Sequence, residues 1–79
     1  MTQEVIIYAN WDDEAKVWVA TSEDVPGLIT EAASLNELVP KLKVMIPEML
    51  DANGYGETDD DIPFRLKMEL QEVAHREAA

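Results

Sequence analysis

Residues 18–50 read WVATSEDVPGLITEAASLNELVPKLKVMIPEML. The run Trp18-Val19-Ala20-Thr21 is rich in β-formers and reads as a strand. Val25-Pro26-Gly27 turns the chain, and Leu28 to Ala32 runs back. Ser34 then opens a helix. Ser34 and Glu37 stand at capping-box spacing, in which each side chain reaches the other residue's backbone N–H. Leu35, Leu38, Val39, Leu42, Met45, Ile46, Met49 and Leu50 follow at helical spacing, one continuous apolar stripe that needs a sheet to cover.

Working outward, Glu4 to Trp11 reads as the first strand, with Val5, Ile6, Ile7 and Tyr8 in an unbroken apolar row. Asp12 to Ala15 is a polar turn, and Lys16 to Ser22 returns as the second strand. Pairing Trp11 with Lys16 sets Ala9 opposite Trp18 and Ile7 opposite Ala20. The other face then carries Ile6, Tyr8, Val17, Val19 and Thr21. Both faces of the hairpin are apolar, yet the chain offers one helix. The uncovered face, represented by Ile6, Tyr8, Val17 and Val19, is expected to meet a second copy or another protein.

Pro40 and Pro47 lie roughly two turns apart on the side of the helix away from the leucine stripe. They are expected to bend it toward the sheet; the alternative is a break into two pieces at Pro47. Asn53-Gly54 is a stop signal, with Gly54 suited to a left-handed C-cap. A polar, acidic loop, Tyr55 to Asp61, follows. Ile62, Phe64, Leu66, Met68 and Leu70 then alternate with Pro63, Arg65, Lys67, Glu69 and Gln71, the period of a strand with one buried face. The expected fold is α+β: a β-β-β-α-β order forming a four-stranded mixed sheet with one long helix on one face. The 79 residues make a single domain, with a core over about 4–71 and a polar tail over 72–79 that extends as a short helix or frays.

Composition narrows the function. The net charge is −11, with 17 acids against 6 bases. Such a chain repels phosphate backbones, so direct nucleic-acid binding is not expected. The acidity suits solubility or a basic protein partner, and the turn acids Asp12, Asp13, Glu23 and Asp24 are the candidate contacts. A chain this small is only marginally stable alone and has no cysteine to staple it, so a homodimer or higher assembly is expected. No apolar run approaches the roughly 20 residues of a membrane span and no leader opens the chain, which points to a cytoplasmic protein.

Catalytic chemistry is hard to find. The strand-and-helix order resembles the start of a ribonuclease H fold, whose acids lie in the first strand, on the first helix and at the end of the fourth strand. Here Ile6, Ile7 and Tyr8 occupy the first position, Glu37 caps the helix, and the fourth strand ends in Leu70-Gln71. The run Asp59–Asp61 lies at that strand's other end, so a metal nuclease is not expected, nor any catalytic, metal or cofactor residue. His75 is the only histidine, sits beside Arg76 and Glu77, and has no triad partner set by sequence. Gly27, Gly54 and Gly56 form no phosphate cradle.

The pattern Val17-Trp18-Val19-Ala20, Val25-Pro26-Gly27-Leu28, Thr30-Glu31-Ala32 and Ser34-Leu35-Asn36-Glu37-Leu38 resembles the HicB antitoxin family, over about Glu4 to Asn53. Its members show an aromatic-x-Ala strand, an acidic turn ending in Pro-Gly, and a Ser/Thr-Leu helix start. The segment Ile46-Pro47-Glu48-Met49-Leu50 is similar to that of a short, stand-alone HicB-like group. The resemblance implies a partial ribonuclease H fold without nuclease acids. It also implies a partner: a small, basic, RNA-cleaving toxin of the HicA type. Full members carry a C-terminal ribbon-helix-helix or helix-turn-helix domain for which this chain has no room, so promoter binding is not expected. The rival reading is an oligomeric scaffold without a toxin.

Overall fold

Strand-forming residues on either side of an acidic turn make the first hairpin. In the computed structural model, which describes residues 4–54 and 61–77, β1 (Val5–Asp12) pairs antiparallel with β2 (Val17–Thr21). β3 (Ile29–Ala32) pairs antiparallel with β2. Helix α1 (Leu35–Ala52) follows, and β4 (Phe64–Glu69) lies parallel to β1. The sheet order is β3-β2-β1-β4, so α1 carries the chain from one edge of the sheet to the other. The expected four-stranded mixed sheet and single long helix are both present.

The hairpin register differs from the expected one by two residues. Trp11 faces Trp18, and Ala9 faces Ala20. A two-residue shift leaves every side chain on its face, so the division into inner and outer faces holds. The shift has a local cause. The Asp12 carboxylate accepts the N–H groups of Glu14 (3.0 Å) and Ala15 (3.2 Å), which closes the turn directly after Asp12 and starts the return strand at Val17. Lys16 completes the turn in the left-handed region, at φ 59°. The two tryptophans then stack edge to face across the strands, with ring centroids 5.3 Å apart.

The inner face is built around small residues. Ala9, Ala20 and Ala32 are buried on three adjacent strands, and above them lie Leu38, Leu42 and Ile46, which are also buried. These join Val5, Ile7, Val25 and Leu28 in one cluster, flanked by Trp18, Met45, Met49, Phe64 and Leu66. Alanines at the centre of the sheet let a helix of leucine and isoleucine settle close to it. The stripe seen in the sequence is the buried one, although Leu35, at the helix start, is 40% exposed.

Ser34 caps α1, its hydroxyl accepting the N–H of Glu37 at 3.3 Å. The reciprocal Glu37-to-Ser34 bond of a capping box is not formed. The helix is unbroken through Pro40 and Pro47. The packing of its apolar stripe therefore outweighs the lost hydrogen bonds, and of the two prolines expected opposite that stripe only Pro40 is exposed. Pro47 is half-buried and lies beside Ile46, Ile62 and Phe64 rather than in open solvent. Gly54 ends the helix at φ 79°, as its sequence position suggests. The strand expected from Ile62 onward pairs with β1 from Phe64. Its apolar face is only partly covered, since Met68 and Leu70 are 40% and 50% exposed.

Leu42→Ala should cost about 2–5 kcal/mol, because the cavity lies between rigid neighbours. Urea unfolding checks this through a lower midpoint. Val44→Ala, on the exposed side of α1, should leave the midpoint unchanged.

Candidate protein-binding surfaces

The two acidic turns lie at opposite ends of the β1–β2 hairpin. Asp12 ends β1 and Asp13 follows it, whereas Asp24 binds the start of β1, at Ile6. The strand between them spans roughly 20 Å. Asp12, Asp13, Glu23 and Asp24 thus form two separate patches, and a partner touching all four must lie along the whole hairpin.

Each patch has its own local chemistry. At the first, Asp12 is occupied by backbone N–H groups, as described above. Asp13 accepts from Lys16 Nζ at 3.0 Å and from Trp11 Nε1 at 3.3 Å. The Lys16 hydrogen bond, then that from Trp11, holds the Asp13 carboxyl below its ordinary range. The pair is well exposed, so it contributes little to stability.

At the second, β2 stops at Thr21, and side chains take over its ladder. Ser22 Oγ donates to the Ile6 carbonyl at 2.6 Å. Asp24 Oδ2 accepts the Ile6 N–H at 2.8 Å, and the Asp24 N–H donates to Ser22 Oγ at 3.1 Å. One serine and one aspartate replace the missing backbone partner of Ile6. Glu23, between them, is exposed.

The Pro-Gly turn is anchored below this patch. Val25 and Leu28 are buried, and Leu28 N–H donates to the Val25 carbonyl at 3.1 Å. Gly27 has φ 83°, and a Cβ there would stand 3.1 Å from Met49 Cε. Asn53 Nδ2 donates to the Pro26 carbonyl at 2.9 Å and to the Met49 carbonyl at 2.8 Å. Asn53 therefore ties the turn to the end of α1. Sequence reading missed both Ser22 and Asn53. The Ser-x-Asp spacing at a strand end was a usable signal for the first; Asn53 read only as a stop.

Ile6, Tyr8, Val17 and Val19 share the outer face, as expected from the period-two pattern. Tyr8 is 44% exposed, and the other three are half-buried. Ile29 extends the apolar area across β3. On β4 the face turns charged: Lys67 Nζ stands 6.0 Å from the Tyr8 ring centroid, and Arg65 pairs with Glu4 at 2.9 Å. On the helix side, an open groove of about 500 Å³ is lined by Trp11, Trp18, Leu35 and Leu70.

Among the described residues no three His, Cys, Asp or Glu side chains group closely enough to hold a metal ion. Asp59 and Asp60 lie outside the described residues; Asp61 is exposed. Residues 70–77, His75 included, are exposed and belong to no helix or strand. No helix among the described residues is long and apolar enough to cross a membrane.

These features define a small α+β domain with one helix over a four-stranded mixed sheet. The chain belongs to the family described as domain of unknown function DUF1902, whose model matches residues 4–76. Among solved structures it is similar to the crystal structure of the hypothetical protein TTHA1013 from the extremely thermophilic bacterium Thermus thermophilus. The two are 46% identical with a TM-score of 0.70, over 94% of this chain and 100% of the other. No curated protein matches the sequence.

Two outcomes test the turn chemistry. Ser22→Ala and Asp24→Ala should each cost about 1 kcal/mol in urea unfolding, and the double variant less than their sum, because both serve Ile6. In a carboxyl NMR titration, Asp13 should protonate at lower pH than in a Lys16→Met variant. Its folded-state value is depressed, so its small stabilising contribution is present above the unfolded value and disappears as pH falls.

Proposed function

We propose that this domain is a non-enzymatic protein-binding module, a HicB-like antitoxin that neutralises a small, basic, RNA-cleaving toxin of the HicA type. The observation that carries the reading is the display of carboxylates at both ends of the β1–β2 hairpin on a chain of net charge −11. A surface that grips RNA phosphates is cationic, and acids at the two ends of a hairpin can occupy it in their place. Complementary potential also speeds encounter and makes it salt-sensitive. Membership of the DUF1902 family and the sequence likeness to HicB proteins are consistent with this role.

Glu23 carries the contact most directly in this reading, because the carboxylates of Asp12, Asp13 and Asp24 already accept hydrogen bonds within the domain. The outer face with Ile6, Tyr8, Val17 and Val19 takes a second copy of the chain. That face also supports the rival scaffold reading, in which the assembly has no toxin.

The test is affinity capture from the native cell extract, followed by intact mass and an RNA-cleavage assay. The expected result is a small basic protein at fixed stoichiometry, whose cleavage of RNA stops when this chain is added. Asp13→Lys with Glu23→Lys should keep the fold and slow association about tenfold or more at low salt. Recovery of the chain alone at every salt concentration would favour the scaffold.

A further inference from the structure

β4 is an edge strand, and among the described residues nothing pairs with its outer side. Its backbone phase follows from one hydrogen bond. Val5 N–H donates to the Pro63 carbonyl at 2.9 Å, in a parallel ladder that sets Val5 beside Phe64. In such a ladder successive residues turn their backbone groups to alternate sides. Arg65, Lys67 and Glu69 therefore point theirs toward β1. Phe64, Leu66, Met68 and Leu70 point theirs to the open edge. These same four side chains lie on the helix side of the sheet, yet every residue from Lys67 to Glu77 is exposed.

We propose that β4 pairs antiparallel with β4 of a second copy, about a two-fold axis at Met68. Charge selects that register. An axis at Lys67 sets that lysine against its own copy, and an axis at Glu69 does the same with that glutamate. An axis at Leu66 sets Arg65 opposite Lys67. Only the axis at Met68, among these, sets Lys67 opposite Glu69 in both directions. It also places Leu66 opposite Leu70 and Arg65 opposite Gln71. Opposite charges across a strand pair stabilise it, and like charges destabilise it. The hydrogen-bonded pairs become Met68 with Met68 and Leu66 with Leu70, residues whose backbone groups face the open edge.

The location also suits an acidic chain. β4 holds two of the six basic residues and a single acid, so self-repulsion between copies is least there. The product is one continuous sheet with both helices on the same face. Met68 and Leu70 of each copy then lie between the two helices, beside the Trp11–Trp18–Leu35 groove. This contact uses none of Ile6, Tyr8, Val17 and Val19 and no residue of the acidic turns, so it goes beyond the toxin-binding reading and can fail independently of it.

Native mass and light scattering of the full chain test it. The wild type is expected to be a dimer or a larger even assembly. Met68→Pro removes an N–H that faces the open edge and leaves the β1 ladder intact, so it should halve the mass without changing the circular dichroism spectrum. Lys67→Glu should weaken the association about tenfold or more, and adding Glu69→Lys to it should restore the wild-type mass. If Met68→Pro unfolds the chain, the charge-swap pair decides. A wild type that is monomeric at concentrations on the order of 100 µM overturns the proposal. So does an assembly that Val19→Lys dissociates while the β4 variants leave it whole.

Discussion

One helix has to seal one face of a four-stranded sheet, and the contact of Leu38, Leu42 and Ile46 with a floor of Ala9, Ala20 and Ala32 makes that possible. Small residues under large ones bring the two layers close enough to exclude water. Everything else positions this contact. Ser34 sets where the helix begins, Gly54 where it ends, and Asn53 binds that end to the Pro-Gly turn between β2 and β3. Pro40 lies exposed, away from the seal, and Pro47 packs at its margin beside Ile62 and Phe64, so neither proline interrupts it.

The same economy of size shapes the acidic turns. In a chain of 79 residues, several carboxylates serve as architecture as well as surface charge. Asp12 closes the first turn, and Asp24 with Ser22 completes the β1 ladder where β2 runs out. Their negative charges still contribute to the field around the hairpin, but their oxygens are held in place by backbone N–H groups. Asp13 is engaged by Lys16 and Trp11, so in the proposed role Glu23 is the acid best placed to meet a partner's cations. Electrostatic attraction at such a surface acts over the whole hairpin rather than at a single pocket.

Much of the fold was legible because the periodicities are strong. The stripe from Leu38 to Leu50 and the alternation from Ile62 to Leu70 each specify an element and its inner face. The hairpin register was not legible to the residue, because the capping of the turn by Asp12 decides where pairing begins. A shift of two kept the faces, since side chains alternate with period two. The candidate site was legible only as a set of acids. That Asp24 is bonded to Ile6, across the hairpin, depends on where β2 stops, and no local pattern encodes that distance.

By itself the sequence determined the β-β-β-α-β order, the helix boundaries at Ser34 and Gly54, and the apolar character of both hairpin faces. These follow from local propensity, capping and periodicity, which act over a few residues. Only the tertiary structure decided that β4 lies parallel to β1 at an open edge, that Asn53 reaches Pro26, and that the acids divide into two patches. Each of these depends on where distant segments meet, and that is set by how one helix can lie across this sheet and bury its leucines.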